Sequence, residues 1–196
     1  MSLKLFRCVG GEIVIPHKDL VLISRSDGGN LVVNPPREVW ERSELNAVEL
    51  ANWSFLVAAT GKAMLESLPQ LKDGCINYWE AGNWALNEVA APAGIFKSAK
   101  AYRKVHLHLL GRNPNSTNPD LSWGEAPNFP KFSDRFIWAE NNERLTAKEC
   151  LMIIKRAEEI LVEIYGMQQS QIDRWTICVL CGYPTAELNC PDCNQN

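Results

Sequence analysis

Two Cys-x-x-Cys pairs near the end of the chain are the sequence feature that most constrains how this protein can fold. The pairs are Cys178 with Cys181 and Cys190 with Cys193. Two such pairs can bring four thiolates within tetrahedral reach of one ion, as a structural zinc site requires. A catalytic zinc needs an open coordination position and usually has a histidine ligand, so the pattern predicts a structural Zn²⁺. Four free or disulfide-paired thiols are the alternative.

Cysteine usage and composition are typical of a globular protein in a reducing compartment. The chain has seven cysteines, an odd number that does not fit a secreted disulfide framework, and we therefore expect a cytoplasmic protein. With 46% hydrophobic and 22% charged residues, the 196 residues fit one domain of ordinary size with a small appendage. No apolar run is long enough for a transmembrane helix, and the N-terminal segment lacks the apolar core of a signal peptide.

Charge excludes a further class of protein. The chain carries 20 basic and 23 acidic residues, which gives a net charge of −3. A dedicated DNA-binding domain usually shows a basic footprint, and this balance does not provide one. We therefore expect neither a nucleic acid nor a membrane as partner.

Five short apolar runs bounded by turn residues predict β-strands. The second and third runs flank the turn Ser26–Asn30, which is rich in Asp and Gly, so they are predicted to form an antiparallel hairpin. The runs are residues 12–16, 20–24, 31–34, 75–79 and 105–110.

Two longer segments have helical periodicity. The first spans Ser43 to Ser67 with Ser43 as the predicted N-cap, and the second follows the capping box Thr146–Glu149 and ends before Gly166. Runs of strands with two separated helices predict an α+β fold, an antiparallel sheet with two main helices packed on it. We expect this domain to span residues 1–166 and a small zinc-binding tail to span residues 167–196.

The fifth predicted strand carries the chemistry. Lys104, His106 and His108 stand two residues apart, so their side chains project from one face while the intervening apolar residues face the core. A row of one lysine and two histidines on a strand is a candidate catalytic surface. An edge strand with a solvated polar face is the alternative.

The segment Val105–Arg112, with the sequence Val-His-Leu-His-Leu-Leu-Gly-Arg, resembles the signature of the histidine triad superfamily. In that signature histidines alternate with apolar residues and an arginine often follows. The upstream run Ile76–Asn83 is similar to the family's strand and glycine turn. The hairpin, the Pro35-Pro36 pair and the first helix also fall in the family's order, so the resemblance covers roughly residues 10 to 112.

The resemblance implies a nucleotide hydrolase or nucleotidyl transferase that cleaves phosphoanhydride or phosphoramidate bonds, for example in a dinucleoside polyphosphate. In the family the middle histidine attacks the α-phosphate and forms a nucleotidyl-histidine, and the matching residue is His106. His108 matches the histidine that binds phosphate oxygens. Asn77 matches a polar residue that also contacts phosphate, and Gly82 and Asn83 match the turn before the site.

Two further expectations accompany the resemblance. Arg112 is in phase with His106 and is a candidate substrate-binding residue, with a purely structural role as the alternative. The family commonly dimerises, so we expect a homodimer through the apolar helix 47–67.

The chain departs from the family pattern at three places. Lys104 stands where the first histidine of the triad is expected, and we expect its ammonium group to stabilise charge on the phosphate. The link between the glycine turn and the histidine motif is about twenty residues, where the family commonly has only a few. The N-terminal zinc pair of some family members is absent.

Two other functions remain open on the sequence. The lysine substitution is compatible with a nucleotide-binding module that has lost turnover. The other hypothesis is a protein that binds nucleic acid through the zinc tail. The acidity of this tail argues against it, as shown by Asp173, Glu187 and Asp192.

Overall fold

The protein folds around a five-stranded antiparallel sheet with helices packed on it, which confirms the predicted α+β class. The computed structural model describes residues 2–80, 84–86 and 97–187 together with Cys190 and Cys193. The strand order is β1-β2-β3-β5-β4. The strands are β1 (Leu3–Cys8), β2 (Gly11–Ile15), β3 (Asn30–Asn34), β4 (Cys75–Trp79) and β5 (Leu107–Arg112), and a separate hairpin pairs β6 (Thr176–Ile177) with β7 (Pro184–Thr185).

Strand register assigns residues to the two faces of the sheet. Leu109 of β5 lies opposite Leu31 of β3, and both are fully buried in the main core. Side chains alternate along a strand, so His108 projects from the other face, where Val32 and Trp79 lie opposite it. β5 begins at Leu107 rather than at the predicted residue 105, so it carries His108 but not His106. It is paired on both sides, so it is not the edge strand of the alternative interpretation.

The core face is covered by two long helices that pack against each other, α1 (Ala47–Ser67) and α4 (Ala147–Glu163). The predicted capping box of α4 is confirmed, because Thr146 Oγ1 accepts a hydrogen bond from Glu149 N–H while Glu149 accepts one from Thr146 N–H. Two short helices, α2 (Ala99–Tyr102) and α3 (Arg135–Glu140), lie outside this pair. Within the described residues, no helix has the length and apolarity needed to cross a bilayer.

The predicted start of α1 is wrong by one turn. Asn46 is the N-cap, and its side chain accepts hydrogen bonds from the N–H groups of Val48 and Glu49. The side chain of Glu49 in turn accepts a hydrogen bond from Asn46 N–H. Ser43 lies in the short 3₁₀ turn Arg42–Glu44 that precedes the helix. The Asn-x-x-Glu spacing that forms this box is present in the sequence and was the better signal.

The prediction of a strand at residues 20–24 is also wrong. Leu20 ends the 3₁₀ turn Lys18–Leu20, and Leu22 and Ile23 lie in a bend. Residues 21–24 are buried, but the N–H groups of Leu22 and Ile23 donate to the side chain of Asn30 rather than to a neighbouring strand. Trp138, on α3, donates its indole N–H to the carbonyl of Leu22 at 2.8 Å. The predicted hairpin of residues 20–24 with residues 31–34 is therefore wrong, because β3 pairs with β2 and β5. The other partner of β2 is β1, a strand that was not predicted.

The described part of the tail packs on the rest of the protein. The Tyr183 hydroxyl donates to the carbonyl of Leu145 at 2.7 Å, and the N–H of Ala186 donates to the carbonyl of Lys4 in β1 at 3.1 Å. Cys190 is buried in the same core as the sheet and helices. The division between residues 166 and 167 stays a prediction.

Candidate active site

His106 and His108 open into a cavity of about 430 Å³, which we call the histidine cavity. His108 is the second residue of β5, and His106 lies just before the strand. The two imidazoles share one side of the chain, as the alternation predicts. Apolar and aromatic side chains form most of the wall, and the lining consists of Leu20, Leu22, Trp84, Tyr102, Lys104, His106, His108, Phe132, Arg135 and Phe136.

The two imidazoles contact each other through their Nε2 atoms, which are 3.1 Å apart. His106 Nδ1 lies 2.7 Å from the main-chain carbonyl of Lys104, and because a carbonyl only accepts hydrogen bonds, this nitrogen carries the proton. In the neutral ring His106 Nε2 then has a free lone pair. His108 Nε2–H is therefore the donor of the contact between the rings.

His108 is held neutral by its environment. Burial, and secondarily the neighbouring His106, lowers the pKa of His108 from 6.5 to about 3. Its Nδ1 atom is buried and makes no hydrogen bond within the described part of the chain, as expected for the unprotonated nitrogen of this tautomer. The pair therefore combines an unprotonated nitrogen on His106 with an N–H donor on His108. The first type of group can attack a phosphorus atom, and the second can bind the phosphate oxygens.

Low pH should destabilise the protein through His108. The folded state excludes a proton that the unfolded chain binds below its ordinary pKa of 6.5, so the free energy of unfolding falls as the pH drops from 6.5 towards 3. Between about pH 7 and about pH 5 the loss from this one group is up to about 2 kcal/mol. Urea unfolding at both pH values measures it.

His108→Gln, which cannot be protonated, is the control for that experiment. The variant should lose less stability than the wild type over the same pH interval, whatever its stability at neutral pH. Equal losses in the two proteins would show that His108 is not the group responsible.

Lys104 lines the histidine cavity, as its phase predicts, and its ammonium group also forms an ion pair with Glu38. Half of its side chain is exposed, at 50%. Glu38 does not line the histidine cavity, but it lines a neighbouring space of about 400 Å³ together with Lys104 and His106. The ammonium group of Lys104 is therefore partly neutralised, and the main-chain carbonyl of Lys104 orients His106.

The structure does not bring Asn77, a predicted substrate-binding residue, into this cavity. Asn77 lies on β4 and lines a neighbouring space of about 800 Å³ with Trp79 and Phe129. Gly82 and Asn83 lie outside the described residues.

Arg112 is engaged by protein groups. It is 3% exposed, and its guanidinium donates to the carbonyl oxygens of Leu121, Ser122 and Glu125 at 2.8 to 3.2 Å. These hydrogen bonds fix the loop after β5. Arg112 therefore has the structural role that was the alternative to substrate binding. Arg112 does not line the histidine cavity.

Sequence reasoning missed most of the cavity wall. Tyr102 comes from α2, Arg135 and Phe136 come from α3, and Phe132 precedes α3. No periodicity in the sequence marks these residues as neighbours of β5. The cluster of Phe, Arg and Phe in residues 132–136 was the available signal.

The four cysteines of the tail form a second candidate site, the cysteine cluster. Their Sγ atoms lie within 4.8 Å of one another, and two pairs, Cys178 with Cys193 and Cys181 with Cys190, are separated by 3.7 and 3.6 Å. A tetrahedron of thiolates about 2.3 Å from a metal has edges of about 3.8 Å, so the cluster could hold an ion. Hydrogen bonds from the N–H groups of Cys181 and Leu180 lower the pKa of Cys178 to about 7, which favours the thiolate.

No protein family, curated protein or solved structure matches this chain. The likeness to histidine triad proteins therefore rests on the sequence motif Val105–Arg112 and the segments before it.

Proposed function

We propose that this protein is a nucleotide hydrolase or nucleotidyl transferase that acts on nucleoside phosphate conjugates through a nucleotidyl-histidine on His106. The observation that supports this most directly is the His106–His108 pair, with His106 oriented through Nδ1 so that the Nε2 lone pair is available. The surrounding wall is apolar and aromatic with added cations, which suits a nucleoside carrying phosphate.

The proposed reaction has two steps, formation of the nucleotidyl-histidine and its breakdown. His106 Nε2 forms a bond to the α-phosphorus while the bond from phosphorus to the leaving group breaks, and the leaving group departs with that electron pair. Water or another acceptor then attacks the same phosphorus, the N–P bond breaks, and its electrons return to Nε2 while the acceptor's proton is released. His108 Nε2–H turns from His106 to a phosphate oxygen and stabilises the developing negative charge.

The intermediate provides the test of this proposal. Protein quenched with acid-free denaturant after mixing with a dinucleoside polyphosphate should carry one nucleotidyl group on the peptide containing His106, as measured by mass spectrometry. Turnover without any adduct on this peptide would contradict the mechanism.

Lys104 is proposed to act electrostatically on the phosphate. If so, Lys104→Arg should retain much of the activity and Lys104→Met should lose on the order of a hundredfold in kcat. If Lys104 instead donates a proton, Arg should fail almost as badly as Met, because a guanidinium keeps its proton near neutrality. Steady-state kinetics of the two variants distinguishes these roles.

Glu38→Gln is the companion variant for Lys104. It removes the carboxylate that competes with phosphate for the ammonium group. We expect kcat/KM to stay the same or to rise by up to about fivefold, the value of one exposed ion pair. A large fall would show that the pair itself is required and that Lys104 does not act on the phosphate.

A nucleotide-binding module without turnover is the second candidate. The ion pair of Lys104 with Glu38 favours it, because the ammonium group is already engaged where the family pattern has a histidine. Nucleotide binding by calorimetry with no product from a panel of dinucleoside polyphosphates would select this function.

The remaining proposals concern the cysteine cluster and the surroundings of the protein. We propose that the ion is a structural Zn²⁺, because four thiolates leave no coordination position open. Ligand thiols need a reducing compartment, which supports a cytoplasmic location. Self-association through the outer face of α1, where Val48 and Leu65 are exposed, is proposed as well.

A further inference from the structure

The histidine cavity has an unbalanced charge. No carboxylate lines it in the described part of the chain, whereas Lys104 and Arg135 both do. Lys104 is balanced by Glu38, but Arg135 forms no ion pair with any described carboxylate. A wall of this kind raises the local concentration of anions.

Aromatic rings hold the Arg135 guanidinium in place. Its central carbon lies 3.8 Å from the ring centre of Phe132 and 4.0 Å from that of Phe136. One terminal nitrogen donates to the carbonyl of Phe132, which fixes the group further. No other described residue accepts a hydrogen bond from this guanidinium. Its remaining N–H donors have the planar arrangement that recognises phosphate with two parallel hydrogen bonds.

We propose that Arg135 binds a second phosphate group of the substrate, the one beyond the phosphate attacked by His106. This inference rests on the proposed function and narrows it, because it makes the substrate a nucleoside polyphosphate rather than a phosphoramidate. The two histidines and Lys104 suffice for the attacked phosphate, and a further preorganised cation in the same cavity matches a further anion.

Binding of nucleoside monophosphate and diphosphate, measured by calorimetry, tests the inference. Wild-type protein should bind ADP at least about tenfold more tightly than AMP, which corresponds to one charge-assisted hydrogen-bonded contact. Arg135→Gln should lose this preference while keeping the affinity for AMP, and Arg135→Lys should keep part of it. An unchanged preference in Arg135→Gln, or a wild type that binds neither nucleotide or both equally, overturns the inference.

Arg144→Gln is the matched control. Arg144 also stacks on an aromatic ring, that of Tyr183, but it does not line the histidine cavity. Removing its charge changes the net charge of the protein equally, so it should leave the ADP preference intact. Loss of the preference in this variant as well would assign the effect to net charge and overturn the role of Arg135.

Turnover separates this inference from the proposed function. In Arg135→Gln, kcat/KM for a dinucleoside tetraphosphate should fall at least about tenfold while that for a nucleoside phosphoramidate stays unchanged. An ADP preference that depends on Arg135 in a protein without turnover would support the inference and refute the hydrolase. Turnover through His106 in which Arg135→Gln changes kcat/KM equally for both substrates would support the hydrolase and refute the inference about Arg135.

Discussion

Replacing His106 by alanine should abolish turnover and leave the fold intact. The imidazole of His106 lines the cavity and supplies the nucleophile of the proposed reaction, and without it no nucleotidyl-histidine can form. Loss of a covalent nucleophile lowers kcat by a factor on the order of 10⁴ or more. Initial rates with a dinucleoside polyphosphate, followed by separation of the nucleotide products, measure the effect.

The fold should survive because His106 lies at the cavity wall and outside the main core. Thermal unfolding followed by circular dichroism checks this. His17→Ala is the matched control, since His17 does not line the cavity and contacts Asp19 instead. Full activity of His106→Ala would mean that the chemistry implied by the motif is wrong, whatever the fold.

Those parts of the fold that depend on local signals could be predicted from the sequence. β4 occupies the predicted residues 75–79, and its short apolar run begins directly after the turn residue Gly74. The start of α4 follows from the Thr-x-x-Glu capping box, which acts within one turn of helix. The shared side of His106 and His108 follows from the period of a strand.

Other parts depend on contacts between distant segments, and the sequence alone could not supply them. Residues 20–24 have the apolar character of a strand, but Asn30 and Trp138 take up their main-chain groups. Arg112 has the right phase for the site, yet the carbonyl groups of the loop after β5 bind it. Phe132, Arg135 and Phe136 line one cavity with the histidines because α3 packs against the distant turn Lys18–Leu20. In each case the local pattern correctly indicated an apolar segment or a side-chain direction, but it carried no information about the distant segment that the residues contact.

Metal removal should destabilise the whole protein. We expect one equivalent of Zn²⁺ per chain by elemental analysis of protein purified without chelator. Because a structural site exists only in the folded state, its binding free energy contributes to folding. Cys190→Ser should therefore lose the metal and lower Tm by about 10 °C, given that each kcal/mol shifts Tm by about 2–4 °C in a domain of this size.

The expected effect reaches beyond the tail because the cysteine cluster is part of the main core. Cys190 is buried there, Tyr183 is hydrogen-bonded to Leu145 just before α4, and Ala186 to β1. Cys75→Ser is the matched control, since Cys75 is exposed and lies outside the cluster, and it should change neither the metal content nor Tm. A Cys190→Ser protein that loses its metal but keeps the wild-type Tm would show that the ion orders the tail alone. Metal content well below one equivalent in wild-type protein would contradict the site itself.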